Sequence, residues 1–197
     1  RSKAAGELAI RNTNTAAIHT TIFRPSVIFG RDDRFLNLFA RLLRVFSLMP
    51  LACPLSRLQP IWVEDVAHAI AVSLDLSDSF DSRFDLCGPH VYTLRELVEY
   101  VGTVIGRDPR ILPLNRPMSY LQAWVMEKLP GRLMTRDNYR SLLVDSICEC
   151  GFPPILGRLP SSMESVVPQY LPGLSPRASF VQSIPVPECR HASLAGF

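Results

Sequence analysis

The order of apolar and amphipathic segments is the feature that most limits how this chain can fold. Residues 1–150 alternate short apolar, β-branched stretches with segments whose apolar residues recur at the period of an α-helix, about 3.6 residues. The clearest examples are the stretch Thr20–Phe29, closed by Gly30, and the helix predicted over Phe35–Phe46. Apolar strands that alternate with helices are typical of a parallel sheet with helices on both faces. The sequence therefore predicts an α/β fold.

The remaining predicted elements continue this alternation. Thr93 and Glu96 have the spacing of a capping box, which predicts a helix that begins just after Thr93. The other predicted strands are Ile61–Val63, Arg83–Cys87 and Arg110–Pro113, and the other predicted helices are Ser2–Arg11, Glu64–Leu74 and Pro117–Leu129. So few strands are too few for a free-standing sheet. We therefore expect half of an α/β domain whose remainder lies upstream of this sequence.

Composition excludes several classes of protein. The formal net charge is +3, which gives no electrostatic footprint for nucleic acid. No apolar run is as long as a membrane span, because Pro50 and Pro54 interrupt the longest one. The five cysteines are scattered and odd in number, so we expect a reducing compartment rather than a disulfide framework. We expect no metal site, although Cys148, Cys150, Cys189 and His191 could be written as one.

The glycine residues do not form the turn that holds a dinucleotide's phosphates. None of the ten glycines falls into a Gly-x-x-Gly-x-x-Gly pattern, which would bring a pyrophosphate to a helix N-terminus. Either the sequence is part of a longer protein or it does not bind such a cofactor. The sequence opens within a predicted helix, at Arg1, which favours the first explanation.

Several motifs resemble the extended short-chain dehydrogenase/reductase family. Arg1–Glu7 resembles the helix that carries Tyr-x-x-x-Lys, with Lys3 as the lysine and the tyrosine position before Arg1. Phe23–Gly30 resembles the strand and turn that follow this helix, and Gln59–Val66 resembles a later segment of the same family. Phe29–Asn37 is similar to an atypical group related to the nucleotide-binding accessory subunit of complex I (NADH:ubiquinone oxidoreductase).

The resemblance implies a domain organisation. Residues 1–106 would be the C-terminal half of a Rossmann-like, NAD(P)-binding parallel-sheet domain. Residues 107–150 would be a smaller helical lobe on the substrate side. Residues 151–197 hold eight of the 17 prolines and show no helical or strand period, so we expect an irregular tail there.

The resemblance also implies a set of cofactor contacts. Lys3 would bind the nicotinamide ribose and lower the pKa of the upstream tyrosine, which makes it a candidate catalytic residue as well. Pro25, Ser26, Val27 and Ile28 would lie near the nicotinamide, because ligands of such folds sit at the carboxyl ends of the strands. Without the resemblance, Lys3 is an ordinary solvated side chain and Pro25–Ile28 are part of a buried strand.

Two further groups of charged residues have competing interpretations. Arg31 and Arg34 would lie at the mouth of the cleft and bind an anionic group or hold a loop, or they are solvated side chains beside an acidic helix cap. Arg34, Arg41 and Arg44 form one face of the predicted helix, which would be solvated or would dock on acidic lipid or a partner. Glu64 and Asp65 are expected to cap a helix.

The function implied by the resemblance is binding of NAD or NADP by a quinone-linked, accessory-subunit-like protein, but only together with the missing N-terminal half. Two alternatives stay open: an active nucleotide-sugar epimerase, dehydratase or reductase, and a non-catalytic structural subunit. The implied partners are the dinucleotide and respiratory-complex or quinone-pathway proteins, with peripheral membrane association also allowed. The implied location is the cytoplasm or the mitochondrial matrix, with attachment to the inner membrane as a further option.

Overall fold

The computed structural model describes residues 2–12, 18–128 and 134–171. Its strands are β1 (Ile22–Pro25), β2 (Ile28–Phe29), β3 (Leu48–Leu51), β4 (Arg57–Leu58), β5 (Ile61–Trp62), β6 (Arg83–Leu86), β7 (Tyr92–Thr93) and β8 (Arg110–Pro113). Its α-helices are α1 (Ser2–Asn12), α2 (Leu36–Val45), α3 (Val63–Leu74), α4 (Leu94–Val104), α5 (Arg116–Lys128), α6 (Arg136–Leu142) and α7 (Met163–Val166). The α/β class expected from the sequence is confirmed.

The strands form four short pairs. Three of the pairs are parallel: β1 with β6, β2 with β5, and β3 with β8. The fourth, β4 with β7, is antiparallel. These mostly parallel pairs agree with the predicted sheet type, although the described strands do not join into one continuous ladder.

The stretch expected as one strand, Thr20–Phe29, is divided into β1 and β2. Ser26 donates its amide to the Leu86 carbonyl at 2.9 Å, whereas the Val27 carbonyl accepts from Ile61 at 2.9 Å. The chain therefore changes its partner strand between Ser26 and Val27. Gly88 allows the two partner strands to approach, because a Cβ on Gly88 would lie only 1.8 Å from the Pro60 carbonyl oxygen.

Local hydrogen bonds fix two of the helix starts. The Thr93 hydroxyl accepts from the Glu96 amide at 3.2 Å and the Glu96 carboxylate accepts from the Thr93 amide at 2.6 Å, so the predicted capping box is confirmed. At α2, Asp33 accepts from the Leu36 amide at 2.6 Å and from Gly30 at 3.2 Å. This carboxylate therefore holds both the turn at Gly30 and the first turn of the helix.

Two groups of buried apolar side chains form the core. We call the larger group the α4 cluster; its buried members are Phe29, Leu36, Ala40, Leu43, Met49, Leu51, Leu58, Tyr92, Leu94, Leu97, Val98, Tyr100, Val101, Val104, Ile105, Met163, Val166, Val167 and Leu171. We call the smaller group the strand cluster; its members are Ile61, Val66, Ala69, Phe84, Leu86 and Leu156. Both clusters include residues from beyond position 151.

The segment from 152 to 171 is irregular in conformation but is packed into the core. Leu156 lies in the strand cluster and Met163, Val167 and Leu171 lie in the α4 cluster, each almost fully buried. Only α7 and two short 3-10 turns, at 154–156 and 167–169, are regular. The rest of the predicted tail, residues 172–197, lies outside the described residues.

None of the described helices is long and apolar enough to cross a bilayer. The longest, α5, has 13 residues.

Candidate functional site

The carboxyl ends of β1 and β6 form the edge at which the sequence places its candidate residues. β1 ends at Pro25, which is paired with Leu86, the last residue of β6. Phe23, Phe84 and Leu86 pack on one face of this pair with the strand cluster. On the opposite face, the Arg24 guanidinium donates to both carboxylate oxygens of Glu7 at 2.5 to 3.0 Å and so ties α1 to β1. One ion pair therefore links α1 to this face, on which Arg24, Arg83 and Asp85 are exposed.

A cavity of about 400 Å³ lies along this edge. Pro25 and Ser26 line it, and so does Cys87, the residue that follows β6. The charged side chains around it are of both signs: Arg24, Arg83, Asp85, Asp145 and Glu149. The cavity is therefore polar, and it extends from Arg83 at the start of β6 to the carboxyl ends of β1 and β6, where parallel α/β sheets bind their ligands.

A loop that precedes the C-terminal segment covers one side of this cavity. We call residues 143–149 the edge loop. The Ser26 hydroxyl donates to the Ser146 carbonyl oxygen at 2.7 Å, and the hydroxyls of the two serines lie 3.0 Å apart. The Ser146 amide donates to Arg57 and its carbonyl oxygen accepts from Gln59, so the loop runs beside β4. The Ser26 side chain is therefore hydrogen-bonded to the edge loop where it lines the cavity.

A disulfide joins Cys87 to Cys148, with the two Cα atoms 6.1 Å apart. The scattered cysteines were not expected to form a disulfide framework, and this single bond was not predicted. The two residues are 61 positions apart in sequence and meet only because β6 ends where the edge loop passes. Cys53 and Cys150 are outside the disulfide.

The other predicted cofactor contacts are placed as follows. Val27 packs against the α4 cluster, and Ile28 is 38% exposed at the start of β2. Neither of them lines the cavity. Lys3 belongs to α1, one helical turn before Glu7, but its side chain lies outside the described part of the structure.

Arg31 and Arg34 lie beyond the turn at Gly30. Both are exposed, and neither lines the cavity. The Arg31 carbonyl oxygen accepts from the Asn37 side chain at 2.9 Å, which holds the turn against α2. The structure thus brings Pro25 and Ser26 together with the edge loop and leaves the two arginines on a neighbouring surface.

Asp65 has a contact that the sequence did not reveal. Its carboxylate is fully buried and accepts from Arg158, whose Nε lies at 3.0 Å, and from the Ser161 amide at 2.7 Å. It makes no hydrogen bond that caps α3, so the capping role expected for it is wrong. Asp65 instead fastens the 158–161 segment to α3, and no local pattern marks Arg158 as its partner.

Three tyrosines have pKa values above the usual range. Burial is the largest cause of the raised pKa of Tyr92, and the hydrogen bond from its hydroxyl to Glu164 at 2.7 Å raises the pKa further. Burial is also the main cause for Tyr100 and Tyr170, with Glu164 and Asp33 as the respective neighbouring charges. A raised pKa keeps each hydroxyl protonated, so these three are poor candidates for a general base at neutral pH.

Within the described ranges, no group of three His, Cys, Asp or Glu side chains is placed to hold a metal ion. Two of the four residues considered for a zinc site, Cys189 and His191, lie outside those ranges.

Comparison with known proteins finds mitochondrial NADH dehydrogenase subunits among the relatives of the chain. No protein-family model matches the chain. The chain is 33% identical over 177 residues to "NADH dehydrogenase [ubiquinone] 1 alpha subcomplex subunit 9, mitochondrial" of Rattus norvegicus, which covers 83% of the chain and 44% of the relative. The protein of the same name from Arabidopsis thaliana is 31% identical over 158 residues, covering 75% of the chain and 39% of the relative. The chain thus spans less than half the length of these curated relatives.

Solved structures agree on the fold. A nucleoside-diphosphate-sugar epimerase from Staphylococcus aureus matches with a TM-score of 0.56 and 17% identity, over 81% of this chain and 55% of that one. The dTDP-glucose 4,6-dehydratase DesIV from Streptomyces venezuelae, solved with NAD and TYD bound, matches with a TM-score of 0.50 and 21% identity, over 58% and 38%. At these identities the likeness establishes the fold alone.

Proposed function

We propose that this chain forms the nicotinamide side of an NAD(P)(H) site. It is a homologue of the subunit 9 proteins of mitochondrial NADH dehydrogenase, and it has the Rossmann-like fold of the epimerase/dehydratase type. One observation carries the proposal most directly. The parallel pair β1–β6 ends at a polar cavity lined by Pro25 and Ser26, at the edge where such sheets bind dinucleotides.

The direction of α1 supports a role for Lys3 at the same edge. Glu7 is bound to Arg24 near the end of β1, and the chain leaves α1 at Asn12 to enter β1 at Ile22. The helix therefore runs against the direction of the strand. Lys3 precedes Glu7 by one turn, so it belongs towards the carboxyl end of β1, which is the position proposed for a ribose contact.

The phosphate-binding part of the site would be supplied by sequence outside these 197 residues. The chain has no Gly-x-x-Gly-x-x-Gly turn and spans under half of its curated relatives. In the proposed complete site, Pro25–Ile28 lie near the nicotinamide, and Arg31 and Arg34 lie at the cleft mouth. NAD and NADP are equally compatible with the described residues.

The names of the relatives indicate where such a protein works. They are mitochondrial NADH dehydrogenase subunits, so we propose respiratory-complex proteins as partners and the mitochondrial matrix as the location. We propose the domain limits 1–106, 107–150 and 151–197 as before, with the addition that the third segment is packed on the first up to Leu171.

The two lysines of the sequence provide a matched test. In the full-length gene product, calorimetric titration with NADPH and with NADH should show that Lys3→Met weakens binding at least tenfold. Lys128→Met should leave binding unchanged, because Lys128 lies over the Trp124 ring at 4.1 Å, away from the cavity residues. Equal affinity in wild-type protein and Lys3→Met would refute the role of Lys3.

The chain by itself should bind NADPH weakly or not at all, since it lacks the phosphate-binding turn. Micromolar affinity of these 197 residues alone would contradict the proposed division of the site.

A further inference from the structure

We propose that Cys87 and Cys148 form a redox-active site, at which reduction of the disulfide releases the edge loop from the carboxyl edge of β1 and β6. The two sulfurs join the end of β6 to the edge loop. Both residues line the cavity that Pro25 and Ser26 also line. A change of redox state at this bond therefore acts on the wall of the proposed nucleotide site.

The disulfide is the covalent tie of a loop that has few apolar contacts of its own. Leu143 is 50% exposed and Val144 is 69% exposed, so neither anchors the edge loop by burial. Polar contacts also hold it: backbone hydrogen bonds with Arg57 and Gln59, the Ser26 hydroxyl to the Ser146 carbonyl oxygen at 2.7 Å, the Cys148 amide to the Gln59 side chain at 3.0 Å, and the Arg57–Asp145 ion pair. Such contacts make modest net contributions, because water replaces them when the loop opens.

The bond lies outside the two apolar clusters. Neither Cys87 nor Cys148 belongs to the α4 cluster or to the strand cluster. Both are shielded from bulk solvent, at 1% and 8% exposure, and both line the cavity, which is the side from which a small reductant would approach them. Reduction should therefore loosen the loop and leave the two clusters packed.

The reaction is a two-electron thiol–disulfide exchange with a dithiol reductant. A thiolate of the reductant attacks one sulfur and breaks the Cys87–Cys148 bond, forming a mixed disulfide. The second thiol of the reductant then closes its own disulfide. Two electrons and two protons pass to the protein, which leaves Cys87 and Cys148 as thiols. In thiol-reducing compartments, disulfides of this kind are usually redox-sensing or catalytic. The comparison with disulfides of reducing compartments depends on the proposed location in the matrix. The exchange reaction itself does not depend on the location.

Differential alkylation tests whether the bond exists and can be reduced. In protein purified without reductant, N-ethylmaleimide should label Cys53 and leave Cys87 and Cys148 unlabelled. After treatment with dithiothreitol under native conditions, Cys87 and Cys148 should both be labelled. Labelling of either residue before reduction, or of neither after it, would overturn the proposal.

Hydrogen–deuterium exchange tests the release of the loop. Reduction should speed exchange at the Ser146 and Cys148 amides at least tenfold and leave α4 amides, such as that of Val101, unchanged. Cys87→Ser/Cys148→Ser should exchange like the reduced protein without any reductant, and Cys53→Ser should respond like wild type. If the double variant does not fold, the comparison of oxidised and reduced wild type decides alone.

Unchanged exchange in the edge loop, or equal acceleration in α4, would refute the release. The measurement needs no nucleotide, so it succeeds or fails independently of the titrations that test the proposed function.

Discussion

The α4 cluster and the strand cluster differ in how completely they are enclosed. The α4 cluster collects side chains from α2, β3, α4 and the segment 163–171, so it is covered from several directions. The strand cluster is much smaller and lies under a strand pair whose carboxyl ends open onto a cavity. The candidate site thus lies beside the smaller of the two apolar clusters.

This difference indicates a division between stability and binding. Regions that must admit a ligand are drawn from the less stable parts of a fold, because binding there requires local opening. Here the edge of β1 and β6 is held on one face by the small strand cluster and elsewhere by an ion pair, a disulfide and a few hydrogen bonds. Three experiments with substituted proteins test how far the two regions differ.

The largest effect should come from deleting apolar volume in the α4 cluster. Leu97 and Leu86 are both fully buried, the first in the α4 cluster and the second in the strand cluster. Leu97→Ala should lower the free energy of unfolding by about 4 kcal/mol, and Leu86→Ala by about 2 to 3 kcal/mol, because the neighbours of Leu86 in the smaller strand cluster can relax more around the lost volume. Urea unfolding measures both.

Leu121→Ala is the control for this pair. Leu121 is 57% exposed on α5, so its truncation should change stability by no more than about 0.5 kcal/mol. An equal or larger loss for Leu86→Ala than for Leu97→Ala would show that the two clusters are equally consolidated.

The second substitution cuts the link between the clusters. Arg158→Met leaves the buried Asp65 carboxylate without its cation, in the segment that runs from Leu156 in the strand cluster to Met163 in the α4 cluster. The free energy of unfolding should fall by about 2 kcal/mol. This is less than the usual cost of breaking a buried ion pair, because Arg158 is 40% exposed. Asp65→Asn added to Arg158→Met should recover part of it in thermal unfolding. No recovery in the double variant would show that the charge of Asp65 is not the cause.

The smallest effect should come from the tyrosine hydroxyl that ties α7 to β7. Tyr92→Phe removes the hydrogen bond to Glu164 and should cost about 1 kcal/mol. Burial is the largest cause of the raised pKa of Tyr92, and Glu164 adds to it. The contribution of the hydroxyl to stability is therefore complete below the pKa of tyrosine in the unfolded chain, about 10, and is lost as the pH rises through the higher pKa of the native state.

The stability difference between wild type and Tyr92→Phe should therefore stay constant from about pH 6 to 9 and shrink above about pH 10. Urea unfolding across this range measures it. Glu164→Gln keeps an acceptor for the hydroxyl and should cost less than Tyr92→Phe. A difference that grows in alkali would contradict the assigned hydrogen bond.

The sequence was most informative where a structure depends on near neighbours. The capping box at Thr93 and Glu96 predicted the start of α4, because both partners lie within one turn. The apolar period of Phe35–Phe46 and the β-branched stretch around Phe23 gave α2 and β1 to within a few residues. The motif Phe29–Asn37 also led to the group of relatives that the comparisons found.

Features that depend on distant partners were not predicted. The sequence does not show that the chain changes partner strand between Ser26 and Val27, since both residues suit one continuous strand. The strand β3 was missed because Pro50 lies within it. The Cys87–Cys148 bond and the Asp65–Arg158 pair join residues 61 and 93 positions apart, and only the folded chain brings them together.

The parallel pairing of distant strands has a consequence for how the chain folds. Ile22 pairs with Arg83 and Leu48 with Arg110, so each ladder must close a loop of about sixty residues before its hydrogen bonds form. Chains dominated by such non-local contacts cross their folding barrier slowly. The helices can form early, because their stabilising contacts are local. The strands stay unpaired for longer, and their free edges can associate with other chains during synthesis.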